Sequence, residues 1–223
     1  MSPYTGWHLG ASPTELSHGG GPYAAHVELA GPPVLCIRGY HASAKALDCL
    51  SLGTGVYLSR RTLTGRVVVG GNKAAGSVCD RGPVVDATAL LRRFAADCAA
   101  RALRRERAAG RETDPRSWDA VRVARRHATG RATDAELTAA GAAAVAAIRA
   151  RTGAGWAARY AARDATGAAA WAVADAGHAD RAAAWAAAWA AAGNGEAARD
   201  AERTWQERSL TQRFSLALRE VRA

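Results

Sequence analysis

The spacing of hydrophobic positions changes near residue 87. Before it, apolar residues come in short runs broken by glycine and proline: Pro33-Val34-Leu35-Cys36-Ile37, Val56-Tyr57-Leu58 and Val67-Val68-Val69. Short runs rich in β-branched and aromatic side chains fit strands, because such side chains pack well on a pleated surface. The first run is expected to be a short buried strand ending at Gly39, with His41 and Ser43 where the chain turns into a helix. Gly6-Trp7-His8-Leu9 and Tyr23 to Leu29 are further strand candidates, with Gly31-Pro32-Pro33 as the turn before the central strand. Ala42, Ala46, Leu47 and Leu50 keep helical spacing. Thr64-Gly65 reads as a hairpin turn between two strands, Gly70-Gly71-Asn72-Lys73 as another tight turn, and Val84-Val85 as a last strand.

After residue 87 the period lengthens. Leu90, Leu91, Phe94, Cys98, Ala102 and Leu103 recur at three- and four-residue steps, which gives a helix with one buried face. Asp86 fits its N-cap, and it is expected to end near Gly110. The opposite face carries Arg92, Arg93, Arg101, Arg104 and Arg105. Asp114-Pro115 marks a second helix start, with Trp118, Val121 and Arg125 on one stripe. Thr133 and Glu136 match a capping box for a third helix running to about Arg151. From Trp156 to Ala192 the chain is nearly all alanine, with Trp156, Tyr160, Trp171, Trp185 and Trp189 spaced to fall near one helical stripe. Ala161-Ala162-Arg163-Asp164-Ala165 recurs at Ala197-Ala198-Arg199-Asp200-Ala201 as an imperfect repeat. Gly193-Asn194-Gly195 is a helix stop, and Glu196 to Arg222 reads as a charged helix carrying Trp205, Leu210, Phe214 and Leu218.

The fold class expected from this is α+β: a small strand-rich domain over 1–86, arginine-rich helices over 87–152, and an alanine- and tryptophan-rich helical region over 153–223. Alanine favours helix but buries little surface, so the tryptophans are expected to supply most of the buried area of the last region.

Composition adds three constraints. The formal net charge of +10 suggests an acidic partner such as nucleic acid, although arginine, alanine and glycine enriched together also look like GC-rich coding. Cys36, Cys49, Cys79 and Cys98 form no CxxC pair, which disfavours a zinc site or a disulfide framework; reduced, buried thiols are expected. The alanine stretches are interrupted by Arg, Asp and His, and the N-terminus has no signal-peptide pattern. No membrane association is expected, and the expected location is cytoplasmic.

The run Cys36-x-x-Gly39-Tyr40-His41-Ala42-Ser43, then Leu47-Asp48, Val56-Tyr57, Gly65-x-Val67 and Lys73, resembles a group of uncharacterised bacteriophage and actinobacterial proteins. In that group a Cys-x-x-Gly-aromatic-His-Ala-Ser/Cys segment precedes a Leu-Asp helix and a strand hairpin. The resemblance covers residues 34 to 105 by motif and the rest by composition. It carries over no functional residue. Asn72 stands where an acidic residue is expected, and Cys79-Asp80-Arg81-Gly82-Pro83 departs from the group's pattern.

A more distant likeness is to ADP-ribosyltransferase-like folds, which implies a nicotinamide cleft lined by His8, His41 and Ser43, with Tyr57 stacking on a ring and NAD as cofactor. No catalytic glutamate accompanies them; Glu28 is the acid on an expected strand. Other readings of the same residues are a thiolate–imidazole pair of Cys36 or Cys49 with His41, a general base formed by His41 and Asp48, and a phosphate loop at Gly70-Gly71-Asn72-Lys73. Packing thiols, a histidine bonded to backbone and a plain turn are the structural counterparts of these readings.

With no complete catalytic set, the expected function is that of a non-enzymatic accessory protein of phage or mobile-element origin, with no cofactor and no metal. It would act through a protein partner or self-association along the Ala/Trp-rich helices. The alternatives are an NAD-dependent transferase using His8, His41, Ser43 and Tyr57, and nucleic-acid binding through Arg92, Arg93, Arg101, Arg104 and Arg105.

Overall fold

The computed structural model of the chain describes residues 2–13, 26–35, 37–52, 55–150, 187 and 195–221. It has an antiparallel sheet followed by helices, the α+β class expected from the spacing change. Two compact units are present: residues 1–87 with 210–223, and residues 88–209. Cys36, residues 23–25 of the second strand candidate, Gly53, Trp156, Tyr160, Trp171, Trp185, Trp189 and the first copy of the repeat lie outside the described residues.

The first unit is built on two long strands, β4 (Tyr57–Val69) and β5 (Ala74–Asp86), joined by the turn at 70–73. That turn is closed by the Gly70 amide donating to the Lys73 carbonyl at 2.8 Å. β1 (Tyr4–Gly10) pairs along the other edge of β4. β2 (His26–Glu28) and β3 (Tyr40–Ala42) share the far edge of β5. The ends of this sheet meet: Trp7 N donates to Ser43 O at 2.7 Å, and Ser43 N donates to Trp7 O at 2.9 Å. The strands β1, β4, β5 and β3 therefore form a closed circuit, which leaves fewer unpaired edges than an open sheet. Gly6 permits the closure, since a Cβ there would stand 2.7 Å from the Ser43 carbonyl oxygen. Tyr40, Ala42, Leu63, Ala74 and Cys79 pack together as a core, with Tyr4, Val27, Leu29 and Val67 against it. The short helix α1 (Ala46–Leu52) buries Ala46, Cys49 and Leu50.

Two expectations are corrected here. Pro33 to Ile37 is not a buried strand. Val34 and Arg38 bond each other's backbone across a tight turn, and Ile37 is 76% exposed. Preceding prolines and Gly39 at φ 120° make the run a turn, and the strand starts only at Tyr40. Thr64-Gly65 is not a hairpin. β4 continues through it with a bulge, in which Gly65 at φ 68° and Arg66 oppose one residue of β5. Cys79 to Pro83, the stretch that departs from the group's pattern, lies inside β5. There Gly82 and Pro83 fall in a second bulge between the Arg61–Arg81 and Ser59–Val84 pairs, a position where proline is tolerated within a sheet.

The second unit contains α2 (Thr88–Ala108), α3 (Pro115–His127) and α4 (Asp134–Ala150). The last described helix, α5 (Glu196–Glu220), gives residues up to 209 to this unit and the remainder to the first. Asp86 is the final residue of β5, opposite Tyr57, and α2 starts two residues later, so it is not an N-cap inside the helix start. Leu91, Phe94, Cys98, Ala102 and Leu103 are buried as their spacing predicts. Asp114 caps α3, accepting from the Arg116 amide at 2.9 Å, with Pro115 in the first turn. Thr133 and Glu136 form the capping box: the Thr133 amide donates to Glu136 Oε2 at 2.7 Å and the Glu136 amide to Thr133 Oγ1 at 3.2 Å. The Thr133 backbone bond, with help from its hydroxyl, holds the Glu136 carboxyl below the usual range.

Candidate functional site

The residues considered for a nicotinamide cleft sit in the strand circuit, and the ladder sorts them. His8 lies opposite Ser59 and Gly10 opposite Tyr57, so strand alternation puts His8 and Tyr57 on one face. Ser43 lies opposite Trp7, so Ser43 and, two residues back, His41 share the other face with the Trp7 side chain. That face is covered: the Trp7 ring meets Phe214 edge-on at 5.5 Å and Arg60 stacks over it at 4.1 Å. His41 and Ser43 are buried, and the His41 carbonyl accepts from Arg61 Nη1 at 3.2 Å. Ser43 serves the circuit's closure through its backbone. Glu28 is exposed and lies beside His26.

The thiol and general-base readings meet similar geometry. Cys49 is on α1 and His41 on β3, and both are buried. His41 and Asp48 belong to a strand and a helix, so they do not share one helix face. Burial pushes the Cys79 thiol up to about 11, against the weaker pull of Arg61 and Arg81. Such a thiol is not a ready nucleophile. The Gly70 amide is used inside the hairpin turn rather than turned toward a phosphate. Among the described residues no group of three or more His, Cys, Asp or Glu is placed to hold a metal ion.

The arginines of α2 divide as well. Arg101 Nε donates to Glu202 Oε2 at 3.0 Å, and Arg105 donates to the same oxygen. Glu202 is fully buried, and its other oxygen accepts from Gln206 at 3.2 Å. Arg101 also stacks on the Trp205 ring at 4.0 Å, and that ring stacks on Phe94. Arg92 Nη1 donates to His127 Nδ1 at 2.7 Å, which places the imidazole proton on Nε2, facing Asp134 at 2.7 Å. Arg92, Arg101 and Arg105 thus hold helices together, whereas Arg93 and Arg104 are exposed.

Among the described residues eight arginines, Arg93 of the α2 face among them, line a groove along α2 and α3 made of two cavities that share lining residues. The cavities measure about 620 and 510 Å³, and both are lined by Trp118 and Arg122. Arg107, Arg111 and Arg116 line the first; Arg93, Arg125, Arg126 and Arg131 line the second. Among the described residues the carboxylates in the lining are Glu112 and Asp119. Trp118 Nε1 donates to Thr113 Oγ1 at 2.8 Å, which anchors an indole that lines both cavities. Several of these guanidinium groups already meet a carboxylate: Arg111 grips buried Glu106 with two 2.7 Å bonds, and Arg125 meets Asp97 at 2.6 Å. Arg116 and Arg122 pair with Asp114 and Asp119 at the surface.

Charge is concentrated here. Residues 88–150 hold thirteen arginines against seven carboxylates, so six of the chain's ten net charges fall in these three helices. Sequence reading missed the groove because its members come from α2, the 109–114 linker, α3 and the following loop. The visible signal was Trp118 in a segment with an arginine every few residues.

No protein-family model, curated protein or solved structure matches the chain. No helix among the described residues is long and apolar enough to cross a membrane.

Proposed function

We propose that this protein is a non-enzymatic binding protein whose helical unit takes a nucleic acid, held mainly by its phosphates. The observation that carries this reading is the groove itself, where, among the described residues, eight arginines and two carboxylates share the lining with Trp118. Arginine suits the role because its planar guanidinium is always charged and matches phosphate oxygens in pairs. The surface ion pairs within the groove do not oppose it. An exposed pair such as Arg122–Asp119 contributes little to stability, so its arginine can be exchanged to a phosphate at small cost.

The NAD-dependent transferase reading draws less support, since His8 and Tyr57 fall on one face of the strand circuit and His41 and Ser43 on the other. A role in protein interaction for residues 153–223, in a protein of phage or mobile-element origin, stays compatible with nucleic-acid binding by the groove.

The test is fluorescence anisotropy of labelled DNA with the full chain at 50 and 200 mM salt. Neutralising several phosphates releases their counterions, so affinity is expected to fall by about a hundredfold or more over that range. Absent or salt-independent binding overturns the proposal.

A further inference from the structure

We infer that the strand bound in this groove is single, with a base stacked on Trp118; this rests on the nucleic-acid reading above. Trp118 lines both cavities and is half-buried, so its side chain is offered to the groove rather than closed into the core. The hydrogen bond to Thr113 holds that ring in place before anything binds. A fixed aromatic face flanked by cations is the arrangement that takes an unpaired base, whose own face is free to stack. A base inside a duplex is already stacked on both sides and cannot offer its face without leaving the helix.

The phosphate positions follow from the arginines beyond the indole. Arg107 lies in one cavity, and Arg93 and Arg131 lie in the other. None of the three makes an ion pair among the described residues. Arg93 and Arg107 sit fourteen residues apart on α2. At 1.5 Å per residue their backbones are separated by about 21 Å along the axis. A chain of a few nucleotides spans that distance, with its middle base over Trp118 and its end phosphates at the arginines. Recognition of this kind tolerates sequence, because every base has a face.

The experiment compares a labelled twelve-residue oligothymidylate with a twelve-base-pair duplex, each titrated with the full chain by fluorescence anisotropy. The single strand is expected to bind about tenfold more tightly or better. Trp118→Leu should weaken single-strand binding by about tenfold and leave the duplex unchanged, while Trp118→Phe, which keeps an aromatic face, should stay within about threefold of the native chain. Circular dichroism checks that each variant is folded. Arg93→Gln with Arg107→Gln alters exposed positions only, and should cut the single-strand salt slope by about 1.4. If Trp118→Leu does not fold, the native chain's preference for the single strand over the duplex decides. Equal affinity for the two nucleic acids, or a folded Trp118→Leu with native affinity, overturns the single-strand inference and leaves nucleic-acid binding standing. If neither nucleic acid binds, both readings fall.

Discussion

Trp118 Nε1 donates to Thr113 Oγ1 across the first turn of α3, at 2.8 Å. This bond ties the groove's aromatic surface to the linker between α2 and α3. Thr113→Val keeps the shape and removes the acceptor. Loss of one such bond is worth about 1 kcal/mol. The expected result is a fewfold weaker oligonucleotide affinity with a fall of about 2–4 °C in melting temperature, read by anisotropy and calorimetry side by side. An unaltered affinity would mean that the indole needs no such anchor.

Glu202 is the electrostatic centre of the helical unit, buried with Arg101, Arg105 and Gln206 around it. Removing one member of a buried pair leaves charge without a partner. Glu202→Ala is expected to lower stability by about 3 kcal/mol, the low end of the usual range, because both guanidinium groups keep some solvent contact. Urea denaturation measures it, and a loss well under 1 kcal/mol would show that the pair is marginal.

Closure of the strand circuit rests on a glycine. A Cβ at Gly6 would come within 2.7 Å of the Ser43 carbonyl oxygen, which is backbone and cannot rotate away. Gly6→Ala should cost about 1–3 kcal/mol through forced shifts in a packed site. Gly71→Ala, where nothing lies within 4 Å, is the control and should be nearly neutral. Equal effects at the two positions would argue against the closure.

The pairing of β2 with β5 should respond to pH through His26. Its Nδ1 donates to Asp80 at 2.6 Å, and this bond, followed by that to Glu28, raises its pKa from the ordinary 6.5. The folded state therefore favours the imidazolium. The stabilisation is present in full below pH 6.5 and is lost as pH rises through the raised value. Titration by NMR should show the elevated pKa, and Asp80→Asn should bring it back toward 6.5. Amide exchange over His26–Glu28 should quicken above the transition. A pKa at or below 6.5 in the native chain would contradict the contact.

What the sequence discloses here tracks how local each feature is. Asp114 with Pro115, and Thr133 with Glu136, complete their capping inside four residues, so the residue types alone locate α3 and α4. The buried stripe of α2 is likewise a matter of spacing. The run from Pro33 to Ile37 misleads because its apolar residues end up in a turn, and burial of a short run depends on partners elsewhere in the chain. β4 and β5 look shorter than they are because bulges at Gly65-Arg66 and Gly82-Pro83 interrupt the apolar alternation without ending the pairing. The arginine face of α2 divides for the same reason. Glu202, about a hundred positions along, takes Arg101 and Arg105, and no local pattern on α2 announces that. The groove around Trp118 is assembled from separate elements and becomes visible only once α2 and α3 are packed.

The central claim is that the groove arginines meet phosphates, and the salt dependence of affinity tests it most directly. The logarithm of the oligonucleotide association constant would be plotted against that of salt concentration for the native chain and for Arg93→Gln/Arg107→Gln/Arg131→Gln. The account predicts a steep line for the native chain and a slope shallower by about 2 for the triple variant, at about 0.7 per lost contact on a single strand. Parallel lines, or a native affinity that does not change with salt, would contradict it.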